Sequence, residues 1–140
     1  GVNMSSKDYL MVISAHCVLD KLNIEKHIKD LEQHVCVFGN QIPVRDGKKI
    51  IKRYIWSHFI KEEEINMYSK MEERYFLHNA LAIYKTSYLK EYPFNEILRG
   101  KEDRYWANNV VSNGFSYLYD PNLSAYHHYT ENGATWIGLG

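Results

Sequence analysis

Cysteine is scarce in this sequence, with only Cys17 and Cys36 among 140 residues. Each lies within an apolar stretch, and their spacing matches neither a zinc-binding pattern nor the framework of a small disulfide-rich protein. We therefore expect two buried free thiols and a reducing, cytoplasmic setting.

Long apolar runs and an excess of one charge are also missing. No segment approaches the roughly 20 apolar residues of a membrane-spanning helix, so we expect no transmembrane segment. The 17 Lys and Arg residues balance the 17 Asp and Glu residues. Because a neutral chain has no bulk attraction for phosphate backbones, we expect no nucleic-acid partner. The chain also lacks a glycine-rich phosphate loop of the GxGxxG or P-loop type, so any nucleotide site must use other residues.

The residues that are present alternate between strand-like and helix-like patterns, which predicts one α/β domain over residues 1–140. The composition, 45% hydrophobic and 24% charged, is typical of a globular domain. Strands are predicted at 9–14, 35–38, 79–84, 115–119 and 123–128. Helices are predicted at 23–33, 50–60 and 102–113, with a helical turn at 86–90. Residues 15–21 are predicted as a loop that completes a βαβ-like unit, and residues 61–73 as a mobile loop or loose helix.

Two adjacent carboxylates, Glu102 and Asp103, follow Gly100 at the start of the third predicted helix. Acidic residues in a first helical turn commonly stabilise the helix dipole and its free amides. A carboxylate at an exposed helix start can instead act as a general base toward a hydroxyl group. Both interpretations remain open from the residues alone.

Histidines follow two of the predicted strands. His127 and His128 end the last strand, and because neighbouring strand residues point to opposite faces, only one of them can face a given site. His16 follows the first strand, in the sequence Ser14-Ala15-His16. Ligands of α/β folds bind at the carboxyl ends of strands, so His16 is a candidate contact to a metal ion or a diphosphate.

The order of these segments resembles the large inverting glycosyltransferase family with the GT-A fold, which includes many bacterial capsule, O-antigen and cell-wall transferases. The similarity extends from about residue 9 to residue 140, and its most specific strings are PFNE at 93–96 and GKEDRYWA at 100–107. The string DYLMVISAHCVLD resembles the strand and loop that carry the family's DxD metal motif. The closing segment, HHYTENGATWIGLG, resembles the part of the family that holds a histidine near the donor diphosphate.

The resemblance implies roles for individual residues. Asp103 is implied as the catalytic base, and Glu102 as a residue that shapes the acceptor pocket. His127 is implied near the metal ion or the diphosphate. The DxD position contains His16 and no carboxylate, so His16 and His127 either share a divalent ion, Mn or Mg, or contact phosphate together.

Three aromatic residues are candidate sugar-stacking rings. They are Tyr105, Trp106 and Trp136, of which Trp136 belongs to the donor side of the implied site. Packing in the core is the alternative for all three, and for Trp106 it is the favoured one.

The resemblance also implies a partial GT-A sheet, because the family's nucleotide-binding N-terminal half of about 100 residues has no counterpart here. We expect the C-terminal, acceptor-binding part of a glycosyltransferase that is folded but inactive alone. The whole enzyme would transfer a sugar from a nucleotide-sugar donor to a glycan or lipid-linked acceptor with inversion, in the cytoplasm or at the inner face of the membrane. An exposed strand edge near residues 9–14 favours homo-oligomers, and residues 46–71 are the expected acceptor determinant.

Two other function classes remain as alternatives. One is a non-catalytic carbohydrate-binding or interaction module. The other is a metal-dependent hydrolase that uses His16, Asp103 and His127, although the chain lacks the HxH and HExxH spacings of such enzymes.

Overall fold

The computed structural model describes residues 1–49, 54–131 and 136. Its strands are β1 Tyr9–Ile13, β2 Cys17–Lys21, β3 Cys36–Arg45, β4 Lys48–Lys49, β5 Glu64–Ile65, β6 Tyr68–Ser69, β7 Arg74–Tyr75, β8 Leu81–Lys85 and β9 Tyr117–His128. Its α-helices are α1 Ile24–Gln33, α2 Thr86–Glu91 and α3 Glu102–Ser112, and short 3-10 helices span Val2–Met4 and Tyr54–His58.

The strands form a mixed sheet in the order β1-β8-β3-β9-β2, with β4 beside β3 and β5 beside β9. β8 runs antiparallel to both β1 and β3, whereas β3 and β9 are parallel. β1 and β3 therefore run in the same direction, as the predicted βαβ-like unit requires, but β8 lies between them. The predicted α/β class is confirmed.

Apolar side chains cover both faces of this sheet. On one face the aromatic residues of β3, β8 and β9 pack toward α2 and α3, and the Tyr84 ring meets Trp106 of α3 at 5.2 Å between ring centroids. On the other face a smaller aliphatic cluster includes Leu31 of α1. Several of the many tyrosines are therefore core residues, among them Tyr84, Tyr117 and Tyr119.

A bulge interrupts the pairing of the two central strands. Gly39 pairs with Asp120 and Asn40 with Ser124, so residues 121–123 of β9 have no partner in β3. A side chain at Gly39 would collide with the Leu123 backbone oxygen. The two strands predicted at 115–119 and 123–128 are thus one strand, because β3 pairs with β9 on both sides of the bulge.

Local signals predicted α1, α3 and β8 well. Asn23 caps α1, its side chain accepting a hydrogen bond from the Lys26 amide at 3.1 Å. Gly114 adopts a φ of 79° after α3, a left-handed conformation that glycine adopts without strain. Both cysteines are free thiols, as expected, with Cys36 buried and Cys17 partly buried.

Two predicted loops were wrong. Residues 17–21 form the edge strand β2, because they pair with β9 rather than because of any apolar pattern of their own. Residues 61–73 contain β5 and β6 instead of a mobile loop. Of the helix predicted at 50–60, residues 54–58 form a 3-10 helix, and residues 50–53 lie outside the described part of the chain.

The edge of the sheet lies where the sequence placed it. β1 is the first strand in the sheet order and pairs only with β8 among the described residues. Homo-oligomer formation through this edge stays a prediction. No helix in the described ranges is long and apolar enough to cross a membrane.

Candidate active site

A cleft of about 720 Å³ opens at the end of β1, beside the start of α3. His16 lines it from the turn after β1, His78 from the segment before β8, and Glu102 and Asp103 from the first turn of α3. Residues far apart in the sequence, including three of the predicted site residues, therefore share one cavity.

Asp103 is held more tightly than its predicted exposed position implied. It is only 5% exposed. Its Oδ2 accepts hydrogen bonds from the Asn79 amide at 3.0 Å and from Arg104 Nη1 at 2.7 Å, and its Oδ1 accepts one from the Arg104 amide at 2.9 Å. The side chain lines the cleft, but three donors fix the carboxylate there and leave it little exposed.

The turn before α3 explains how this carboxylate reaches the cleft. Gly100 and Lys101 both have positive φ, 107° and 59°, so the chain reverses sharply before the helix begins. Lys101 occupies the N-cap without a side-chain capping bond. Asp103 instead accepts a bond from a first-turn amide, so the structural role predicted for an acidic residue here is real. Glu102 is half-buried and lines the same cleft.

Glu72 is a third carboxylate that lines the cleft, and the sequence did not indicate it. Its side chain is 4% exposed and lies 3.8 Å from Arg104 Nε and 3.5 Å from Lys101 Nζ. Burial raises the pKa of Glu72, but the charge of Arg104, the hydrogen bond from Tyr54 and the nearby Lys101 together outweigh this effect and hold the pKa below its usual range. Glu72 belongs to a charged segment with no local pattern, and only the fold brings it to the start of α3.

His16 and His127 are in direct contact, with their Nε2 atoms 2.7 Å apart. The pairing of β2 with β9 brings them together, because the His128 amide donates to the His16 carbonyl at 2.9 Å. His127 is fully buried behind His16, whereas His128 is exposed. The expectation that only one of the two adjacent histidines faces inward is confirmed.

A buried chain of hydrogen bonds continues inward from this pair. His127 Nδ1 lies 2.7 Å from Gln41 Oε1, and Gln41 Nε2 lies 2.8 Å from His78 Nδ1. The Ala80 amide donates to the same His78 nitrogen at 3.3 Å. Gln41 is 2% exposed. Sequence reasoning missed Gln41 and His78, because neither stands in a recognisable motif.

Burial keeps these rings neutral. It lowers the pKa of His127 to about 3, with a further lowering from the neighbouring His16 and His128. Burial likewise lowers the pKa of His16 and, more strongly, that of His78. At neutral pH the pair therefore offers nitrogen lone pairs and N–H groups rather than positive charge.

The three candidate stacking rings have different environments. Trp136 is 1% exposed and packs against Trp56 and His127, with centroids 5.2 and 5.5 Å apart, so it forms a wall behind the histidine pair and no open stacking surface. Trp106 is in the core, as favoured. Tyr105 is 46% exposed, with the Arg74 guanidinium over its ring.

The predicted metal ligands His16 and His127 bring two ring nitrogens together, and their role as ligands stays a prediction. No group of three or more His, Cys, Asp or Glu residues in the described ranges is arranged to hold one. Comparison with known proteins gives no matching family model and no significant match to a curated protein. The function must therefore be argued from the cleft itself.

Proposed function

We propose that the protein is an inverting glycosyltransferase of the GT-A type in which Asp103 is the general base. One observation carries this proposal. The segments that resemble the family at 14–16, 100–107 and 127–140 are distant in sequence, yet His16 and Asp103 line one cleft and the buried His127 lies in contact with His16. Independent surface segments have no reason to converge in this way.

Asp103 is oriented for proton transfer in this mechanism. Its three N–H donors fix its direction and leave one lone pair of Oδ1 for a hydroxyl of the acceptor sugar. The hydroxyl oxygen bonds to the anomeric carbon while its proton passes to Asp103. The bond from that carbon to the diphosphate breaks on the opposite side, which inverts the anomeric centre.

The leaving diphosphate needs positive charge or hydrogen-bond donors. Arg99 and Lys101 line the same cleft as Asp103 and supply cations. His16 Nε2 is a further contact on the β1 side. A neutral imidazole pair also suits a divalent ion, for which His16 and His127 would provide two ligands, with diphosphate oxygens and water completing the set. Such an ion, Mn or Mg, supplies Lewis-acid stabilisation of the leaving group when bound.

A non-catalytic carbohydrate-binding module is the second candidate. It is favoured by the burial of Asp103. Its three hydrogen bonds stabilise the start of α3, and this structural role is enough to explain the position of the carboxylate without catalysis. In that case exposed rings such as Tyr105 would bind sugar without turnover.

A donor screen distinguishes the two candidates. The intact protein is incubated with a panel of nucleotide sugars and glycan acceptors, and products are identified by mass and anomeric configuration. We expect one donor to give an inverted product. Glycan binding without turnover of any donor would support the module instead, and a retained configuration would exclude the proposed displacement.

A further inference from the structure

We propose that Gln41 is a positioning residue that, with His78 and the Ala80 amide, holds His127 in one tautomer, with Nδ1 protonated and the Nε2 lone pair directed toward His16. The inference rests on the proposed function only in treating the histidine pair as the donor-side site. Gln41 does not line the cleft, so it acts through His127.

The Ala80 amide determines the tautomer of His78, because a backbone amide can only donate. Its nitrogen lies 3.3 Å from His78 Nδ1. That ring nitrogen must therefore be an acceptor, which places the proton of neutral His78 on its Nε2.

The His78 tautomer fixes the side-chain amide of Gln41. The group facing His78 Nδ1 at 2.8 Å must be a donor, hence the NH₂ group. A flipped amide would set its oxygen against an acceptor nitrogen. Since Gln41 is buried away from bulk solvent, a flip would leave these groups unpaired.

The orientation of Gln41 then fixes His127. Its amide oxygen faces His127 Nδ1 at 2.7 Å, so that nitrogen carries the proton. A neutral imidazole has one N–H, and the Nε2 atom of His127 is left with a lone pair. When the two rings bond to each other, His16 Nε2, 2.7 Å away, is therefore the donor.

His16 is free to switch tautomer where His127 is not. Its Nδ1 faces the Ser14 hydroxyl at 3.4 Å, and a hydroxyl can either donate or accept. His16 can therefore present Nε2 as a donor to a phosphate oxygen or as a lone pair to a cation.

The tautomer of His127 distinguishes the two roles that the sequence left open, metal binding and phosphate contact. Neutral His127 cannot donate to phosphate through Nε2, but it can bind a borderline divalent cation. A buried acceptor on the opposite ring nitrogen is the arrangement that orients metal-binding histidines and raises their basicity. Gln41 supplies that acceptor.

Nitrogen NMR tests the tautomer directly on the ¹⁵N-labelled chain. Two-bond ¹H–¹⁵N spectra at neutral pH should show His127 with a protonated Nδ1 and an unprotonated Nε2. In Gln41→Met, which removes both hydrogen bonds at similar side-chain length, we expect a shift to mixed tautomers. Gln41→Glu loses the donor to His78 but keeps an oxygen facing His127 Nδ1, and it should therefore keep that nitrogen protonated. Gln33→Met is the matched control, because Gln33 is exposed on α1.

Calorimetric titration with Zn²⁺ alone tests whether this tautomer favours cation binding. We expect Gln41→Met to bind Zn²⁺ about 10-fold or more weakly than wild type, with Gln41→Glu and Gln33→Met close to wild type. A wild-type His127 protonated on Nε2 would overturn the proposal, and this spectrum decides even if Gln41→Met does not fold. An unchanged tautomer in Gln41→Met, or no Zn²⁺ binding by wild type, would also overturn it. None of these readouts depends on turnover, so a failed donor screen would leave the tautomer result standing.

Discussion

Lys26 and Asp120, which lie 94 residues apart in sequence, meet on the α1 side of the sheet with Lys26 Nζ 2.8 Å from Asp120 Oδ2. His27 Nε2 lies 3.1 Å from the same oxygen, and the Asn122 amide donates to Oδ1 at 2.8 Å. The Asp120 side chain is completely buried. This carboxylate therefore joins the first turn of α1 to the bulge of β9.

Replacing this carboxylate should destabilise the fold. Asp120→Asn leaves Lys26 and His27 facing an uncharged amide, and we expect the free energy of unfolding to fall by about 2–3 kcal/mol. Urea denaturation measures it. Asp8→Asn is the control, since Asp8 is exposed and its side chain lies far from this network in the described contacts. Equal stability of the two variants would show that the buried network contributes nothing net.

The same carboxylate should make stability depend on acidic pH. Burial raises the pKa of Asp120, but the hydrogen bonds from His27, Lys26 and the Asn122 amide, together with the charge of Lys26, outweigh this effect, so its folded pKa lies well below the ordinary value. Its contribution is complete above the unfolded pKa of about 3.9 and is lost as pH falls toward the folded pKa, because the unfolded chain takes up the proton first. Unfolding free energies between pH 5 and pH 2 should thus fall less steeply in Asp120→Asn than in wild type. Parallel slopes would contradict the assignment.

Catalysis should depend on Asp103 beyond its structural role. In the intact enzyme we expect Asp103→Asn to lower kcat by about 100-fold or more, since an amide cannot take the hydroxyl proton. The variant should also lose about 1–2 kcal/mol of stability, because its NH₂ group replaces an acceptor of N–H donors. Assays well below the melting temperature separate the two effects. Near-normal turnover would remove Asp103 from the mechanism and leave Glu102 and Glu72 as candidates.

The close approach of β3 to β9 predicts a large effect of one methyl group. The added carbon of Gly39→Ala would overlap the Leu123 backbone oxygen and the Leu81 and Leu123 side chains, so we expect a loss of about 2–3 kcal/mol. Gly114→Ala is a useful comparison, because its added carbon meets open space and costs only the strain of a positive φ, about 1 kcal/mol. Thermal unfolding should rank Gly39→Ala as the less stable variant. The reverse order would mean that the strands separate easily.

The elements that the sequence predicted correctly are those set by interactions between residues close together in the chain. The Asn23 cap and the apolar spacing define α1, and Gly114 ends α3. β2 could not be predicted, since Val18 and Leu19 are exposed and the strand exists only through its pairing with β9.

The same distinction applies to the site. His16 and Asp103 were predicted from strand-end and helix-start positions and from the resemblance. Glu72, Gln41 and His78 carry no local signal, and side-chain contacts across the sheet bring them to the cleft and its buried wall.

The bulge in β9 has a consequence for insertions and deletions. Residues 121–123 are unpaired with β3, so a change in their number need not alter the strand register. Residues 124–128, in contrast, each pair with one residue of β3. A one-residue deletion within 124–126 would shift the register of the following residues by one, so their side chains would change faces. His128 would then point toward Gln41 in place of His127. A length change at 121–122 can be absorbed locally. Insertions and deletions are therefore compatible with the contact between His16 and His127 only when they precede Ser124.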